Sequence, residues 1–126
     1  MTPSTDLSFE DFFGCLIVRA NGRSIVESKD TTFRIIADEA KARLPKAVLI
    51  DMRNIPGPIT FMDRFQLGEF AGKHLAGFHL AALAHQEQTD EKRIGVLVAR
   101  NRGARVESIF TDEAVALAWL KKCAAA

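Results

Sequence analysis

The chain has 126 residues, of which 48% are hydrophobic and 26% charged, and 17 Lys and Arg against 16 Asp and Glu leave a formal charge of +1. This length predicts one domain with one hydrophobic core. The composition excludes a disordered chain, a collagen-like fibre and a coiled-coil rod. The near-neutral charge argues against a nucleic-acid-binding protein, because such domains are usually strongly basic.

The two cysteines, Cys15 and Cys123, form no Cys-x-x-Cys motif and no zinc-ligand spacing with histidine. We interpret Cys15 as a buried thiol in a strand. One cysteine pair in a chain of this size indicates a reducing compartment, and a single disulfide between the two cysteines is the alternative. Residues 1–11 contain no basic stretch followed by an apolar run, and no segment approaches the roughly 20 apolar residues that span a bilayer. The sequence therefore predicts a cytoplasmic protein without a membrane span.

The first predicted elements are a β-hairpin and a helix. Alternating side chains over 7–12 and the apolar run Cys15–Ala20 indicate two strands joined around Phe13 and Gly14. Apolar residues then recur at helical spacing from about Ser28 to Leu44, which predicts a helix that the following proline ends.

The next predicted element is a strand, Ala47–Ile50, with Asp51 at its carboxyl end. Its apolar, β-forming residues and its position after a helix indicate a strand buried on both faces of a parallel sheet. The segment Met52–Ile59 contains two prolines and a glycine, so it is predicted to be a loop.

A second long helix is predicted to start after Thr60 and to run to about Leu75. The spacing of Thr60 and Asp63 is typical of a capping box, in which each residue satisfies a free backbone amide of the other. The large apolar side chains expected to anchor the core are Phe33, Phe61, Phe65, Phe70 and Trp119.

The last third of the chain contains two further strand candidates, Phe78–Ala84 and Val106–Phe110, and a final helix from about Thr111 to Lys122. The stretch Lys92–Arg105 fits two structures. Its Ile and Val residues favour a strand by β-propensity, whereas the spacing of its apolar residues also fits a helix capped by Gly103. Propensity alone favours the strand.

Strands that alternate with helices after an opening hairpin predict an α/β fold with right-handed crossovers. We expect a mixed, mainly parallel sheet of about five strands with about four helices, in one domain spanning residues 1–126.

The sequence offers few groups for catalysis or for metal binding. His74, His79 and His85 have no zinc-ligand spacing, and no serine-elbow, phosphate-loop or zinc-protease motif occurs. Asp51 and Asp63 could form a carboxylate pair, but helix capping explains Asp63 equally well. We therefore predict no catalytic residue, no metal and no cofactor.

Three arginines, Arg100, Arg102 and Arg105, lie in a stretch without acidic residues between Lys92 and Val106. Such a run could receive an anion or an acidic partner, although a solvated basic end of a helix is the commoner arrangement. We keep the three as anion-binding candidates.

Two segments resemble a known family. The first is Val48–Gly68, VLIDMRNIPGPITFMDRFQLG, and the second is Asn101–Leu120, NRGARVESIFTDEAVALAWL. Their order is similar to the SpoIIAA-like STAS domains, bacterial anti-sigma-factor antagonist modules related to CRAL-TRIO folds. The resemblance implies a SpoIIAA-like fold in which Lys92–Asn101 is helical, against the propensity reading.

In regulatory STAS domains a serine at this helix start is phosphorylated by a partner kinase. Asp63 matches the family's aspartate, but Arg64 and Phe65 follow it, so the phosphoacceptor is absent and the switch does not carry over. A cation in a first helical turn opposes the helix dipole. We therefore predict that Arg64 projects to solvent and contacts an acidic group on a partner, with a surface residue without function as the alternative. Arg64→Ser is then expected to raise the melting temperature slightly and to weaken association.

The resemblance implies a non-enzymatic, regulatory protein-interaction module that binds a protein partner or forms a homodimer. The alternative is a carrier or sensor of a small apolar ligand or lipid, with the Phe-rich helix Phe61–Phe70 as a pocket wall. The partner-binding candidates are Asp51, Arg53, Asn54, Thr60, Asp63, Arg64 and Gln66.

Overall fold

The structure is a computed structural model that describes residues 6–126. Residues 1–5, part of the N-terminal stretch 1–11 considered above, lie outside the described residues. Within the described part, strands and helices alternate after an opening hairpin. The strands are β1 (Leu7–Phe12), β2 (Cys15–Ala20), β3 (Val48–Asp51), β4 (His79–Leu83) and β5 (Arg105–Phe110). The helices are α1 (Ser24–Glu27), α2 (Lys29–Arg43), α3 (Phe61–Leu75), α4 (Ile94–Asn101) and α5 (Glu113–Ala125), with a short 3₁₀ turn at Gln86–Gln88.

The five strands form one mixed sheet in the order β1-β2-β3-β4-β5. β1 is antiparallel to β2, and the other neighbouring pairs are parallel. The predicted α/β class and the opening hairpin are therefore confirmed. The described residues contain five helices rather than about four, because the single turn α1 precedes α2.

Sequential strand order places successive crossover helices on one face of the sheet, since parallel crossovers are right-handed. α1 to α4 accordingly cover one face, where the larger core cluster lies. α5 covers the other face, where Cys15, Ile17, Leu49, Leu83 and Leu120 form a second cluster. The Cys15 thiol is buried as predicted, and burial raises its pKa.

The stretch that fitted two structures forms the helix α4, so the reading by β-propensity is wrong. α4 packs mainly against α3 and buries Val96, Val98 and Ala99. The free-energy differences between helix and strand propensity are smaller than the free energy gained by burying such side chains. Tertiary contacts therefore decide the conformation. Gly103 follows the helix with a φ of 97°.

The predicted aromatic core is only partly correct. Phe33 is buried, and Phe65, Phe70 and Trp119 are half-buried. Phe61 is 56% exposed, because it lies in the first turn of α3, beyond the edge of the sheet. The most deeply buried large side chains are aliphatic: Leu16, Ile17, Ile25, Ile36, Leu49, Leu75, Leu83 and Leu120.

Candidate functional site

A cavity of about 90 Å³ lies between the sheet and the pair of helices α3 and α4. Its floor includes Ile50 of β3 and Ala82 of β4, and its walls include Leu67 and Ala71 of α3 and Ala99 of α4. These side chains are apolar, so the interior offers no fixed charge to a ligand.

Small residues create this space. Ala82 lies in a strand with neighbours on both sides and is nevertheless half-buried, whereas Leu80 of β4 and Ala84, just after β4, are buried. Because Ala82 lines the cavity, its accessible surface faces that space. A larger side chain at this position would fill part of the cavity.

The two helices that roof the cavity are in very close contact. A Cβ atom added to Gly68 of α3 would overlap the backbone carbonyl of Gly95 in α4. A Cβ atom added to Gly95 would lie 3.0 Å from the carbonyl oxygen of Arg64. The helices therefore touch through their backbones. This contact sets the distance between the two helices and the sheet below the cavity.

The polar rim of the cavity is formed by Arg64, Asp90, Gln88 and Thr89. The Arg64 Nε donates to Asp90 Oδ2 at 2.8 Å, and its Nη1 donates to the Ile59 carbonyl at 2.7 Å. Gln88 Nε2 donates to the Met52 carbonyl at 2.8 Å. The rim is thus an ordered set of internal hydrogen bonds at the carboxyl ends of the strands, where α/β proteins usually bind ligands.

The prediction that Arg64 projects to solvent is wrong. Its side chain is only 20% exposed and is paired with Asp90, which also accepts from the backbone N–H of Ile94 at the start of α4. The ion pair therefore joins the first turn of α3 to the segment just before α4 and offsets the unfavourable interaction of Arg64 with the helix dipole.

The expected effect of Arg64→Ser accordingly changes sign. Without the guanidinium, the half-buried Asp90 carboxylate loses its ion-pair partner. We therefore expect the free energy of unfolding to fall by about 1 kcal/mol. Thermal denaturation would show this as a lower melting temperature. An unchanged or higher melting temperature would mean that the Arg64–Asp90 pair does not stabilise the fold.

A separate cluster of charges surrounds Asp51 on the α5 side of the sheet. Asp51 is 2% exposed and accepts from Arg19 Nη1 at 2.8 Å, from Arg53 Nε and Nη2 at 3.0 Å each, and from the Arg53 backbone N–H at 3.1 Å. Arg53 also contacts Glu113 at 3.1 Å. Burial raises the Asp51 pKa, but these hydrogen bonds and cations outweigh it and hold the pKa below its usual value.

The Thr60 and Asp63 side chains form the predicted capping box at the start of α3. Asp63 also contacts Lys29 of α2 at 3.0 Å. The Thr60 backbone N–H and the Lys29 ammonium hold the Asp63 pKa below its usual value. Asp51 and Asp63 belong to opposite faces of the sheet and bind different cations, so the structure does not bring them together as a carboxylate pair.

The remaining partner-binding candidates lie near the same edge of the sheet. Asn54 is exposed in the loop and donates to Asn21 Oδ1 at 3.4 Å, and Gln66 is half-buried on α3. The loop itself is held by Arg23, which donates to the carbonyls of Pro56 and Pro58 at 2.6 and 3.1 Å. Most of these polar side chains thus bind other parts of the chain.

The three arginines kept as anion-binding candidates do not converge. Arg100 donates to the Val106 and Glu107 carbonyls at 2.9 and 2.8 Å. Arg102 contacts Glu69 at 3.0 Å. Arg105 is exposed at the start of β5. Their positions do not form one anion site.

The sequence predicts, as an alternative, a pocket walled by the Phe-rich helix Phe61–Phe70, and α3 does line the cavity, but with Leu67, Gly68 and Ala71 rather than with its phenylalanines. The Arg64–Asp90 pair was not recognised in the sequence. The sequence signal for the cavity was the pair of alanines in β4 together with the glycines at 68 and 95. Within residues 6–126, no group of three or more His, Cys, Asp or Glu side chains could hold a metal ion. None of the helices over the same range has the length and apolar character needed to cross a membrane.

Comparisons with known proteins found no matching family model, no matching curated protein and no matching solved structure.

Proposed function

We propose that this protein binds a small apolar molecule, without catalysis, in the cavity between the sheet and the helices α3 and α4. The observation that carries the proposal is the cavity itself, about 90 Å³ of mainly apolar space between the sheet and the two helices. A fully enclosed empty cavity of this size would cost about 2 kcal/mol of stability, which is an upper bound for a cavity that opens at a polar rim. A bound apolar ligand would recover that cost, which supports a binding role.

The cavity volume limits the size of the ligand. An engineered apolar cavity of about 150 Å³ in another protein stays dry and admits benzene. A space of about 90 Å³ is smaller, so it accommodates a compact hydrocarbon group and not a whole lipid acyl chain. The ligand we propose is therefore a small molecule whose apolar part enters the cavity and whose polar atoms meet Arg64 and Asp90 at the rim.

Binding of xenon, an apolar probe smaller than benzene that also enters engineered apolar cavities, tests this proposal. We expect saturable shifts of the amide signals of Leu67, Ala82 and Val96 in nitrogen–proton NMR spectra of the full chain. Ala82→Leu should abolish these shifts because the added carbons occupy the cavity, and it should raise the melting temperature if they fit without strain.

Ala118→Leu is the matched control, since Ala118 is exposed on α5 and the same carbons then lie in solvent. This variant should bind the probe as the unmodified protein does. Absence of saturable shifts in the unmodified protein, or equal shifts with Ala82→Leu, would contradict the proposal.

The second candidate is the regulatory interaction module implied by the STAS-like resemblance, acting through self-association. Phe61 and Met62 favour it, because both are more than half exposed at the start of α3, beside the predicted docking loop. Replacing both by serine should abolish any concentration-dependent increase in sedimentation coefficient, whereas Val115→Ser on α5 should not. A sedimentation coefficient independent of concentration in the unmodified protein would contradict it.

Membership of the STAS-like family and a cytoplasmic location stay predictions.

A further inference from the structure

The C-terminal ends of the helices lie at the edge of the sheet opposite the cavity rim. The parallel strands β2 to β5 all begin at this edge, so α2, α3 and α4 end there, and α5 returns to it from the other edge. The C-terminal end of a helix favours basic side chains. Around the hairpin turn and the ends of α2 and α5, the basic side chains are Lys41, Arg43, Lys46, Lys121 and Lys122.

Two large apolar side chains project from the same edge. Phe13 is 66% exposed in the hairpin turn, and Leu44 is 77% exposed just after α2. Both have left-handed backbones, with φ of 54° and 50°. Asparagine or glycine is favoured at each position, in a two-residue hairpin turn and after a helix end. The Phe13 ring has an edge-to-face contact with Phe12, 4.8 Å between ring centres, but Phe13 and Leu44 stay mostly exposed, so stability of the fold gives little reason for a phenylalanine and a leucine there.

Lysines flank these two side chains. Lys121 Nζ lies 5.5 Å from the centre of the Phe13 ring. The Lys46 backbone N–H donates to the Gly14 carbonyl at 3.1 Å, which places the segment after Leu44 beside the hairpin turn. The Lys46 ammonium donates to the Ala124 carbonyl at 2.8 Å. We define the basic edge as Phe13, Leu44, Lys46, Lys121 and Lys122.

Acidic side chains compensate this edge only in part. Glu39 is paired with Arg43 at 2.8 Å, and Asp11 is exposed on the hairpin. The lysines of the basic edge are all exposed, so their charge faces solvent together with the two apolar side chains. A formal net charge of +1 for the whole chain hides this local excess of positive charge.

We propose that the basic edge docks on an anionic lipid bilayer surface. Two apolar side chains on turns can enter the headgroup region while the surrounding lysines bind lipid phosphates and carboxylates. Lysine is depleted at the cores of protein interfaces, where arginine is enriched, and two protruding tips do not form the broad surface that such interfaces need. The surface chemistry therefore fits lipid better than a protein partner. This inference does not depend on the cavity, which opens at the opposite edge.

Vesicle cosedimentation of the full chain tests the proposal. We expect binding to mixed phosphatidylserine and phosphatidylcholine vesicles, little binding to pure phosphatidylcholine vesicles, and weaker binding as salt rises above about 0.15 M. Phe13→Asn should weaken binding about tenfold by removing the inserted ring, and the folded state should be kept because asparagine tolerates the left-handed backbone. Lys121→Gln should weaken it about fivefold.

Matched controls lie at the other edge of the sheet. Phe61→Asn removes another phenylalanine that is more than half exposed, and Lys92→Gln removes an exposed lysine. Both variants should bind vesicles as the unmodified protein does. Equal binding to neutral and anionic vesicles, no binding at low salt, or equal losses in the controls would overturn the proposal. The proposal would also be overturned if the unmodified protein bound no vesicles but self-associated, and if Phe13→Asn abolished that self-association. The basic edge would then be a protein interface.

Discussion

Asp51→Asn is expected to lower the free energy of unfolding by about 3 kcal/mol. The carboxylate is almost fully buried and accepts four hydrogen bonds, three of them from the guanidinium groups of Arg19 and Arg53. The substitution preserves the shape of the side chain but removes the negative charge, so both guanidinium groups lose their main partner. Urea denaturation at neutral pH measures the effect.

Glu27→Gln is the control for this variant. Its carboxylate forms an exposed ion pair with Arg23 at 3.3 Å, and such pairs contribute little to stability. If Asp51→Asn were no more destabilising than Glu27→Gln, the buried charge cluster would not stabilise the fold.

The same cluster predicts a pH dependence of stability. Because the folded-state pKa of Asp51 is lower than its unfolded value, the ionised carboxyl stabilises the fold above the unfolded pKa of about 3.9. This contribution is lost as the pH falls through the lower, folded pKa. The free energy of unfolding should therefore decrease below about pH 4, and the decrease should be smaller in Asp51→Asn. Parallel acid profiles for the two proteins would contradict the assignment.

Gly68→Ala is expected to lower the free energy of unfolding by about 2 kcal/mol. In an unhindered helix the same change stabilises by up to about 1 kcal/mol, because alanine is the better helix former. Here the added Cβ atom would overlap the Gly95 carbonyl, which belongs to backbone and cannot rotate away. α3 and α4 must therefore separate, and the cavity beneath them must change shape.

Lys73→Ala introduces alanine at an exposed position of the same helix and serves as the control. Thermal and urea denaturation should show a small change for Lys73→Ala and a large loss for Gly68→Ala. A stabilised Gly68→Ala variant would mean that the two helices are not in backbone contact.

Local features of this protein follow from the sequence because they depend on neighbours a few residues apart. The Thr60–Asp63 capping box needs only two side chains three residues apart and the backbone between them. The hairpin around Phe13 and Gly14 needs only adjacent strands and a two-residue turn. Both were predicted correctly, as was the mixed α/β order of elements.

α4 shows where local reasoning ends. Its isoleucine and valine residues favour a strand by propensity, yet the segment is a helix because α3 offers a glycine-lined surface on which it packs. That surface is more than twenty residues away in sequence, and no window around Ile94 contains it.

The candidate site was decided by the tertiary structure. Strand register places Arg19 directly beside Asp51, which turned a predicted docking residue into the centre of a buried charge cluster. Packing of α3 against α4 brings Asp90, just before α4, to Arg64 across 26 residues of sequence, so the arginine that was predicted to project to solvent is paired. The cavity is the space that small residues on β4, α3 and α4 leave once these elements are packed. Residue type and spacing determined the elements, whereas pairing and empty volume depend on the distances between them, which only the folded chain fixes.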